Sequence, residues 1–323
     1  MTVEEFLADW RADGDLIAVH TSGSTGTPKR LLVEKRRMEA SARITCRFLG
    51  LSRGDTALLC LPMDYIAGKM MVVRAITQGL RLVSVSPSSH PMATVSQPID
   101  FAAMVPLQVS CSLETALERE RLMAVRQLII GGGAVDPTLE AELRSWPNAV
   151  WSTYGMTETL SHIALRRLSG PEASLWYRPF EGVTLNLADD GCLVVDAPAV
   201  SASRLKTNDM AELRPDGCFR ILGRKDNVIC SGGLKIQAEE VERLLLPHLG
   251  APFLVTRRPD ERLGQAVTLL TEGSTDEARQ VCNDVLPRHW RPRHFITVDH
   301  LPTTPNGKPA RAEAERIAKA TNS

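Results

Sequence analysis

The chain has few aromatic residues and no excess charge of either sign. Aromatic residues are 5% of its 323 residues, and 38 lysines and arginines balance 38 aspartates and glutamates, which gives a formal net charge of zero at pH 7. Nucleic acids and anionic membranes attract proteins through clustered excess positive charge. We therefore expect no nucleic-acid partner and no membrane surface, and any anionic ligand must be held by a local site.

The sequence also lacks long apolar runs, a basic leader and paired cysteines. It begins with an acidic segment, MTVEEFLADW, and no segment approaches the roughly 18 uninterrupted apolar residues of a spanning helix. The seven cysteines are scattered and never spaced as CxxC, which favours neither a disulfide framework nor a zinc knuckle. We expect a protein of the reducing cytoplasm.

The pattern in the first half of the chain is typical of an α/β fold. Hydrophobic residues make up 43% of the chain and charged residues 24%, and the apolar runs are short, bounded by Gly, Pro or Asp, and separated by helical stretches such as 36–49. A further helix is predicted with Asp136 as its cap, Pro137 in the first position and an end near Trp146. Strands are predicted over residues 16–22, 56–62, 80–86, 127–133 and 149–155.

The pattern changes after about residue 180. Residues 191–197 and 212–223 predict short strands of a small β-rich module, and a Pro-Asp-Gly turn divides the second segment. After Asp226, helices at 237–246 and 275–286 alternate with short strands, which predicts a compact α+β unit. A chain of this length is typical of two domains, and we expect a large domain at 1–224 and a smaller one at 225–323.

The most informative segment is Thr21-Ser22-Gly23-Ser24-Thr25-Gly26-Thr27-Pro28-Lys29. Its glycines let a backbone approach phosphates closely, its hydroxyls are donors, and Lys29 supplies positive charge. A flexible Ser/Thr/Gly loop is the plain alternative. A P-loop nucleotide-binding motif is not matched, since Lys29 follows Pro28 and precedes Arg30.

This segment resembles the signature of the adenylate-forming superfamily of acyl-CoA synthetases, adenylation domains and luciferases. Four further motifs follow in the order that the superfamily has. They are Tyr154-Gly155-Met156-Thr157-Glu158, Asp209 in Thr207-Asn208-Asp209, Gly223-Arg224-Lys225-Asp226 followed by Ser231-Gly232-Gly233, and Pro305-Asn306-Gly307-Lys308. The resemblance covers essentially the whole chain from residue 16.

The resemblance implies a large α/β domain of layered sheets, a small β-rich module and a mobile C-terminal α+β domain. It also implies an ATP-dependent acid:CoA ligase that uses Mg²⁺ and coenzyme A. Such an enzyme joins a carboxylate to AMP with release of pyrophosphate, and then transfers the acyl group to the CoA thiol with release of AMP.

By the same resemblance, residues are assigned to the nucleotide. Thr157 contacts the α-phosphate and Glu158 holds Mg²⁺, since a hard cation prefers carboxylate oxygen. Asp209 and Arg224 hold the ribose. The β- and γ-phosphates are assigned to Thr21, Ser22, Gly23, Ser24, Thr25, Gly26, Thr27 and Lys29, and the adenine to Gly131, Gly132, Gly133, Tyr154 and Gly155.

The resemblance assigns three further roles to the C-terminal part. Lys308 becomes the catalytic lysine that bridges the carboxylate and the α-phosphate, with Thr157 and Glu158 beside it. Asp226 becomes the hinge about which the small domain rotates. The loop of the thioester step is assigned to Ser231, Gly232, Gly233 and Lys235.

Three features depart from the superfamily. The phosphate loop begins at residue 21, whereas relatives carry well over a hundred residues before it, so most of an N-terminal subdomain is absent. The alternatives are a naturally short ligase and a fragment, and Met1 and the strand just before the loop favour the first. In a short ligase we expect homo-oligomerisation to compensate for the missing part. Asn208 replaces the usual Gly before Asp209, and Tyr65 stands where many relatives have His.

The acid is predicted from pocket segments. Residues 65–74 and 154–165 are most similar to the o-succinylbenzoate–CoA ligases of menaquinone biosynthesis, whose substrate carries a second carboxylate. A cation or strong donors must hold that group. The acyl-site candidates are Arg74 first, with Ser161 and His162 in the opposite wall, then Lys69 and Tyr65.

Other functions stay open at this point. The chain could activate another aryl or acyl acid, or load a carrier protein instead of free CoA. A nucleotide-binding relative without turnover is the non-catalytic alternative. The intact residues Lys29, Glu158, Asp209 and Lys308 argue against it, because a pure binder needs no adenylation lysine.

Overall fold

The structure is a computed structural model that describes residues 1–20, 30–303 and 309–321. The chain divides into two compact units, both of which are discontinuous in sequence. Unit 1 comprises Met1–Asn186, Val194–Leu205 and Leu213–Phe219, and unit 2 comprises Leu187–Leu193, Lys206–Glu212 and Arg220–Ser323. The α/β class expected from the sequence is confirmed, whereas the domain boundary at residues 224 and 225 stays a prediction.

The α-helices of the described part are mostly short. They are α1 (Val3–Arg11), α2 (Lys35–Phe48), α3 (Ile66–Gln78), α4 (Pro106–Ser112), α5 (Ala116–Met123), α6 (Pro137–Leu143), α7 (Ala238–Leu245), α8 (Thr275–Val285) and α9 (Arg311–Ala320). None of these helices is long and apolar enough to cross a membrane.

The strands between residues 16 and 224 come first in the chain. They are β1 (Leu16–His20), β2 (Arg30–Glu34), β3 (Thr56–Leu59), β4 (Arg81–Ser84), β5 (Phe101–Met104), β6 (Gln127–Ile130), β7 (Ala149–Gly155), β8 (His162–Arg167), β9 (Arg178–Pro179), β10 (Thr184–Leu187), β11 (Cys192–Asp196), β12 (Leu205–Leu213) and β13 (Phe219–Arg224). The strands that follow are β14 (Val228–Ser231), β15 (Leu234–Gln237), β16 (Phe253–Asp260), β17 (Gly264–Thr271) and β18 (His294–Thr297).

A seven-stranded sheet with order β4-β3-β5-β6-β7-β8-β9 forms the centre of unit 1. Strands β3 to β7 pair in parallel, and β8 and β9 continue the sheet antiparallel. Strands β1 and β2 form a separate antiparallel pair. Strands β10 to β13 form a four-stranded sheet in sequence order.

Alternating side chains place an apolar core on each face of the seven-stranded sheet. Ala57 and Leu59 of β3 lie in the cluster that includes α2 and α3, whereas Leu58 lies in the cluster with α5 and α6. Phe101 and Ala102 of β5 divide between the same two clusters. Parallel strands covered by helices on both faces are buried on both faces, which explains their nearly continuous apolar sequences.

Unit 2 is built around a five-stranded sheet in which β15, β14, β17 and β16 are neighbours and β18 pairs in parallel with β17. Val255 and Leu269 face α7 and α8 on one side. Leu254 and Leu270, one residue along each strand, pack with Ala314 of α9 on the other side. Each face of this sheet is therefore covered by helix.

Most predicted elements are confirmed, with shifted ends. Asp136 caps α6 as expected, since its side chain accepts a hydrogen bond from Leu139 N at 2.9 Å. This helix ends at Leu143 and not near Trp146, because Trp146 N donates to Leu143 O at 3.1 Å in a tighter turn instead of to the carbonyl four residues before it. The segment of Thr207 to Asp209, expected before a strand that begins at 212, lies inside β12.

Candidate active site

Two parallel strands of unit 1 bring the proposed adenine residues together. Residues 131–133 follow β6, and Tyr154 lies near the end of the neighbouring strand β7, where Ile130 pairs with Ser152. A Cβ on Gly131 would overlap Thr153 Oγ1, and Gly132 has a φ of +79°, a conformation that favours glycine. These glycines therefore allow two strand ends to meet closely at the carboxyl edge of the sheet, where open α/β sheets bind ligands.

Tyr154 belongs to an aromatic group in unit 1. Its ring lies 5.1 Å from that of Phe219 in an edge-on arrangement and 5.9 Å from that of Tyr177. Tyr177 stacks on Phe219 at 5.4 Å and its hydroxyl group forms a 2.9 Å hydrogen bond with Ser152 Oγ. Packing against Phe219 and Tyr177 thus fixes the orientation of the Tyr154 ring.

The β7–β8 hairpin carries the residues assigned to the α-phosphate and to Mg²⁺. Thr157–Thr159 form a single 3₁₀ turn, and Leu160 follows with a positive φ of 65°. Thr159 Oγ1 donates to Ser161 O at 2.7 Å and accepts from Met156 N at 3.1 Å. This buried hydroxyl group holds the turn together, and a non-glycine residue with positive φ is a sign of local strain.

The hairpin exposes a carboxylate at its tip. Thr157 is half-buried and Glu158 is exposed, and no basic side chain in the described ranges forms an ion pair with Glu158. Gly155 pairs with His162 where the hairpin closes, and a Cβ on Gly155 would overlap His162 Cα and Ser161 O. The fold therefore requires glycine at this position of the Tyr-Gly-x-Thr-Glu motif, because any side chain would overlap the hairpin backbone.

The best acyl-site candidates meet in the interior of unit 1. Arg74 of α3 is 2% exposed, and its Nη2 donates to Ser161 Oγ at 2.6 Å. Ser161 Oγ lies 3.2 Å from His162 Nδ1, and His162 Nε2 lies 3.1 Å from Thr45 Oγ1 on α2. The expectation that Ser161 and His162 lie near Arg74 is thus met by their positions, while the role of the three residues in acid binding stays a prediction.

The direction of these hydrogen bonds follows from the donors. A guanidinium group can only donate, so Ser161 Oγ accepts from Arg74 and is free to donate its own hydrogen to His162 Nδ1. In the tautomer protonated at Nε2, His162 accepts from Ser161 at Nδ1 and donates to Thr45 Oγ1. Burial, with help from the Arg74 charge, holds the pKa of His162 well below its usual value, which agrees with a neutral ring.

The positive charge of Arg74 is compensated by no carboxylate among the residues that the structure describes. Its other contacts are Met71 Sδ at 3.7 Å and the Phe101 ring at 5.9 Å, and its Nε is buried without a hydrogen-bond partner in the described ranges. Burial lowers the pKa of Arg74 to about 10, so the side chain stays charged at neutral pH. A buried cation of this kind is costly and marks a candidate site for an anion.

The two lesser acyl-site candidates lie at the start of the same helix. Lys69 is buried, and its Nζ donates to Ala18 O of β1 at 3.1 Å. Burial lowers the pKa of Lys69. Tyr65, 40% exposed, is the residue that precedes α3.

Unit 2 holds the residues assigned to the ribose and the hinge. Arg224 Nη1 donates to Asp209 Oδ1 at 3.2 Å, and its Nη2 lies 3.6 Å from Asp226 Oδ2. Asn208 Nδ2, the departure from the superfamily, donates to Asp226 Oδ2 at 3.3 Å. The structure therefore joins the ribose pair to the proposed hinge within one unit.

The predicted thioester-step loop is the β14–β15 hairpin. Ser231 is buried, Lys235 is exposed, and Gly232 and Gly233 have positive φ values of 57° and 83°. Two sets of predicted residues lie outside the described ranges. They are Thr21, Ser22, Gly23, Ser24, Thr25, Gly26, Thr27 and Lys29 of the phosphate loop, and the catalytic candidate Lys308.

Sequence reasoning missed Thr45 and the aromatic partners of Tyr154. Thr45 is a fully buried polar residue on the face of α2 that also buries Met38 and Ala42. A hydroxyl group among the apolar residues of a helix face, where Ser41 is also buried, is the signal that would have identified it, because buried polar atoms need partners. Tyr177 and Phe219 carry no comparable signal, since their pairing depends on the tertiary fold.

The comparisons with known proteins agree with these motifs. A family model for AMP-binding enzymes matches residues 8–198. The chain belongs to the AMP-binding enzyme family. Over 93% of its length this AMP-binding enzyme is 27% identical to 2-succinylbenzoate–CoA ligase of Bacillus cereus and spans 70% of that protein. It is also 25% identical, over 93% of its length, to a linear gramicidin synthase of Brevibacillus parabrevis, of which the match covers 7%.

Solved structures resemble this AMP-binding enzyme over nearly its whole length. An acyl-CoA synthetase (AMP-forming)/AMP-acid ligase II-like protein from Dyadobacter fermentans is 31% identical with a TM-score of 0.67, and the match covers 96% of this chain and 91% of that one. The fold is also that of o-succinylbenzoate CoA synthetase from Bacillus subtilis in complex with OSB-AMP, with a TM-score of 0.77 at 24% identity, over 92% of this chain and 68% of that one. The resemblance stated from the motifs is thereby confirmed.

Proposed function

We propose that this AMP-binding enzyme is an ATP-dependent acid:CoA ligase that converts o-succinylbenzoate to its CoA thioester. The similarity to 2-succinylbenzoate–CoA ligases over 93% of the chain supports the reaction type. The observation that carries the substrate is the buried Arg74, uncompensated by any carboxylate of the described residues and bonded to Ser161 on the hairpin that also carries Thr157 and Glu158. Ser161, the partner of Arg74, therefore lies on the same hairpin as Thr157 and Glu158, two of the candidates for the nucleotide.

The chemistry has two steps. A carboxylate oxygen of the acid attacks the α-phosphorus of ATP, the bond to the β-phosphate oxygen breaks, and pyrophosphate leaves. The CoA thiol, after losing its proton, then attacks the acyl carbon, and AMP leaves. Both steps bring anions together, so the site must position the reactants and neutralise their charge.

Each motif carries out one part of this positioning and charge neutralisation. The loop 21–29 holds the β- and γ-phosphates, and Lys308 bridges the attacking carboxylate and the α-phosphate. Residues 131–133 and Tyr154 take the adenine, and Asp209 accepts hydrogen bonds from the ribose hydroxyls. Thr157, half-buried at the hairpin tip, donates to the α-phosphate.

Glu158 fits a magnesium ion. It is an exposed carboxylate without a basic partner in the described ranges, and Mg²⁺ commonly binds one or two carboxylates together with substrate phosphates. When bound, the ion neutralises the charge on phosphate oxygens as the α–β bond breaks. Glu158 then fixes the triphosphate relative to Thr157 on the same turn.

The second carboxylate of the acid is held by Arg74 and Ser161. Charge-assisted hydrogen bonds are the stronger ones, and a buried guanidinium group without a carboxylate partner in the described ranges has donors to offer. His162, kept neutral by burial, fixes the orientation of Ser161. Lys69, whose Nζ donates to Ala18 O of β1, and Tyr65, 40% exposed in front of α3, are the lesser members of the acid-binding set.

The two steps use the same site in turn. We propose that residues 225–323 rotate about Asp226, which removes Lys308 after adenylation and brings in Ser231, Gly232, Gly233 and Lys235 for thioester formation. The single 3₁₀ turn at Lys225–Asn227 is the element in which a few backbone angles can change. We also propose that the chain forms a homo-oligomer, and a clean monomer in light scattering after size exclusion would count against this.

The deciding experiment measures pyrophosphate release by the purified protein with ATP and Mg²⁺, with and without CoA. The acids are o-succinylbenzoate, benzoate, salicylate, succinate and a medium-chain fatty acid. We expect selective turnover of o-succinylbenzoate, with AMP and thioester formed only when CoA is present. Turnover of another acid alone would overturn the substrate, and transfer to a carrier protein but not to CoA would favour the activity suggested by the likeness to linear gramicidin synthase.

The Lys308→Ala variant tests the assignment of the catalytic lysine. It should bind ATP as the parent does and form no adenylate. Adenylate formation at the parental rate would refute the role of Lys308 while leaving the ligase activity intact.

A further inference from the structure

The ring of His162 joins two hydroxyl groups whose hydrogen positions the ligase proposal does not assign. Thr45 and His162 are buried, whereas Ser161 is half-buried. His162 Nε2 lies 3.1 Å from Thr45 Oγ1, and its Nδ1 lies 3.2 Å from Ser161 Oγ. Burial lowers the pKa of His162, so the ring is neutral. One ring nitrogen therefore carries a hydrogen, and the other accepts one.

Protonation at Nε2 gives the first of two arrangements. His162 then donates to Thr45 and accepts the hydrogen of Ser161. A threonine hydroxyl group in a helix can turn its own hydrogen to a carbonyl of the preceding turn, so this arrangement also suits Thr45. Ser161 Oγ, which accepts from Arg74 Nη2 at 2.6 Å, then has no hydrogen to offer to a ligand.

Protonation at Nδ1 gives the second arrangement, in which every donor is reversed. Thr45 donates to His162 Nε2, and His162 donates from Nδ1 to Ser161. Arg74 and His162 then occupy both lone pairs of Ser161 Oγ, so the serine hydrogen must point to a third group. Within the part of the chain that the structure describes, Arg74 and His162 are the side-chain partners of this oxygen.

Only the second arrangement suits an anion beside Ser161. A carboxylate accepts hydrogen bonds and donates none, so the serine can bind it only through its own hydrogen. Arg74 donates to this serine, and its buried Nε has no partner among the described residues. Protonation of His162 at Nδ1 therefore lets Arg74 and Ser161 donate to one and the same anion.

We propose that Thr45 is a positioning residue for the second carboxylate of the acid. In the complex with the acid, Thr45 donates to His162 Nε2, which sets His162 as a donor to Ser161 and Ser161 as a donor to the carboxylate. This inference rests on the proposed ligase function and deepens it. Because Thr45 acts through two other side chains, its loss weakens recognition of the second carboxylate and leaves the chemical steps unchanged.

Two acids isolate the second carboxylate in kinetics with the full-length protein. They are o-succinylbenzoate and 4-oxo-4-phenylbutyrate, which is the same molecule without the ring carboxylate. The variants are Thr45→Val, which keeps the shape but loses the hydroxyl group, and Thr45→Ser, which keeps the hydroxyl group. Ser41→Ala is the matched control, because it removes another buried hydroxyl group from the same helix.

We expect Thr45→Val to raise the KM for o-succinylbenzoate roughly 3- to 10-fold at unchanged kcat, which is the effect of one neutral hydrogen bond. The KM for ATP and the kcat/KM for 4-oxo-4-phenylbutyrate should not change. Thr45→Ser should restore the parental KM, and Ser41→Ala should match the parent. In a Ser161→Ala background, Thr45→Val should cause no further loss, because both residues act in one relay.

A spectroscopic measurement reports the position of the hydrogen directly. Nitrogen-15 chemical shifts of histidine-labelled protein distinguish a protonated ring nitrogen from an unprotonated one, and the His162→Gln variant identifies the His162 signals. With saturating o-succinylbenzoate, Mg²⁺ and α,β-methylene-ATP, we expect the hydrogen on Nδ1. A hydrogen on Nε2 in that complex would overturn the inference.

Three kinetic results would also overturn it. A parental KM in Thr45→Val would show that recognition does not depend on Thr45, and additive losses in the double variant would show that Thr45 does not act through Ser161. An equal loss with both acids, in proportion to lost folded protein, would show a merely structural role. A parent protein that forms no adenylate with any acid would instead refute the ligase proposal, so the two failures are distinct.

Discussion

Arg74 Nη2 donates to Ser161 Oγ at 2.6 Å, which joins helix α3 to the β7–β8 hairpin across 87 residues of sequence. The same serine lies 3.2 Å from His162 Nδ1. One short hydrogen bond thereby links the buried cation to the hairpin of Thr157 and Glu158.

The first prediction concerns Arg74→Met. A buried cation without a carboxylate partner in the described ranges costs stability, so an apolar side chain of similar length should leave the protein at least as stable as the parent. Recognition of the second carboxylate should be lost, at about 1.5–3 kcal/mol for charge-assisted hydrogen bonds, or roughly 10- to 100-fold in kcat/KM. Thermal unfolding and kinetics with o-succinylbenzoate check both parts.

The matched measurement for Arg74→Met is the KM for ATP, which should not change. A variant that unfolds at a lower temperature and loses activity with all acids equally would mean that Arg74 is structural. If Arg74→Met keeps both its stability and its activity with o-succinylbenzoate, the second carboxylate binds elsewhere.

The second prediction concerns pH. The pKa of His162 is lowered in the folded protein, by burial first and by Arg74 second, so the unfolded chain binds a proton more readily. The full stability is present above the unfolded pKa of about 6.5 and is lost as pH falls below it, by up to about 1.4 kcal/mol per pH unit. His162→Gln should therefore show a weaker decline in unfolding free energy between about pH 6.5 and about pH 5 than the parent.

The control for this prediction is His248→Gln, which changes an exposed histidine. Urea unfolding at several pH values gives the comparison. If His162→Gln and His248→Gln both keep the parental slope, the neutral state of His162 contributes nothing to acid sensitivity.

Local patterns in the sequence were sufficient for much of the fold. Apolar runs between breakers located β7 to the residue, and Asp136 with Pro137 located the start of α6. Helix and strand periods and capping residues act over a few positions, so they can be identified in one sequence. Arg74 on an apolar helix was likewise visible as an anomaly.

The contacts that the sequence did not predict are those between residues far apart in the chain. His162 is 117 residues from Thr45, and Arg311 is 69 residues from Glu242. No local period encodes such pairs, because each becomes favourable only after sheet and helix have packed. The sequence likewise did not indicate that Asp209 lies within a strand, since its paired neighbours are set by the sheet.

The third prediction concerns Gly155→Ala. The added Cβ would overlap His162 Cα and Ser161 O, which are backbone atoms that cannot turn aside. Overpacking of this kind should destabilise the protein by about 1–3 kcal/mol. Thermal unfolding should show the loss, and activity should fall because the hairpin carries Thr157 and Glu158.

Gly250→Ala provides the control, since a Cβ there meets no atom within 4 Å. It should stay within about 0.5 kcal/mol of the parent. Equal stability of the two variants would mean that the hairpin can relax around residue 155.

The last prediction concerns Asp209→Asn. The ion pair with Arg224 is partly exposed, so its loss should change stability by less than about 1 kcal/mol. Two hydrogen bonds from the ribose hydroxyls to a carboxylate contribute more binding free energy than this ion pair contributes stability. The Kd for ATP should therefore rise roughly 10- to 100-fold. Glu212→Gln is the matched control, because Glu212 lies on the same strand and pairs with Arg220. Calorimetric titration with ATP should separate the two variants, and an unchanged Kd in Asp209→Asn would remove Asp209 from the nucleotide site.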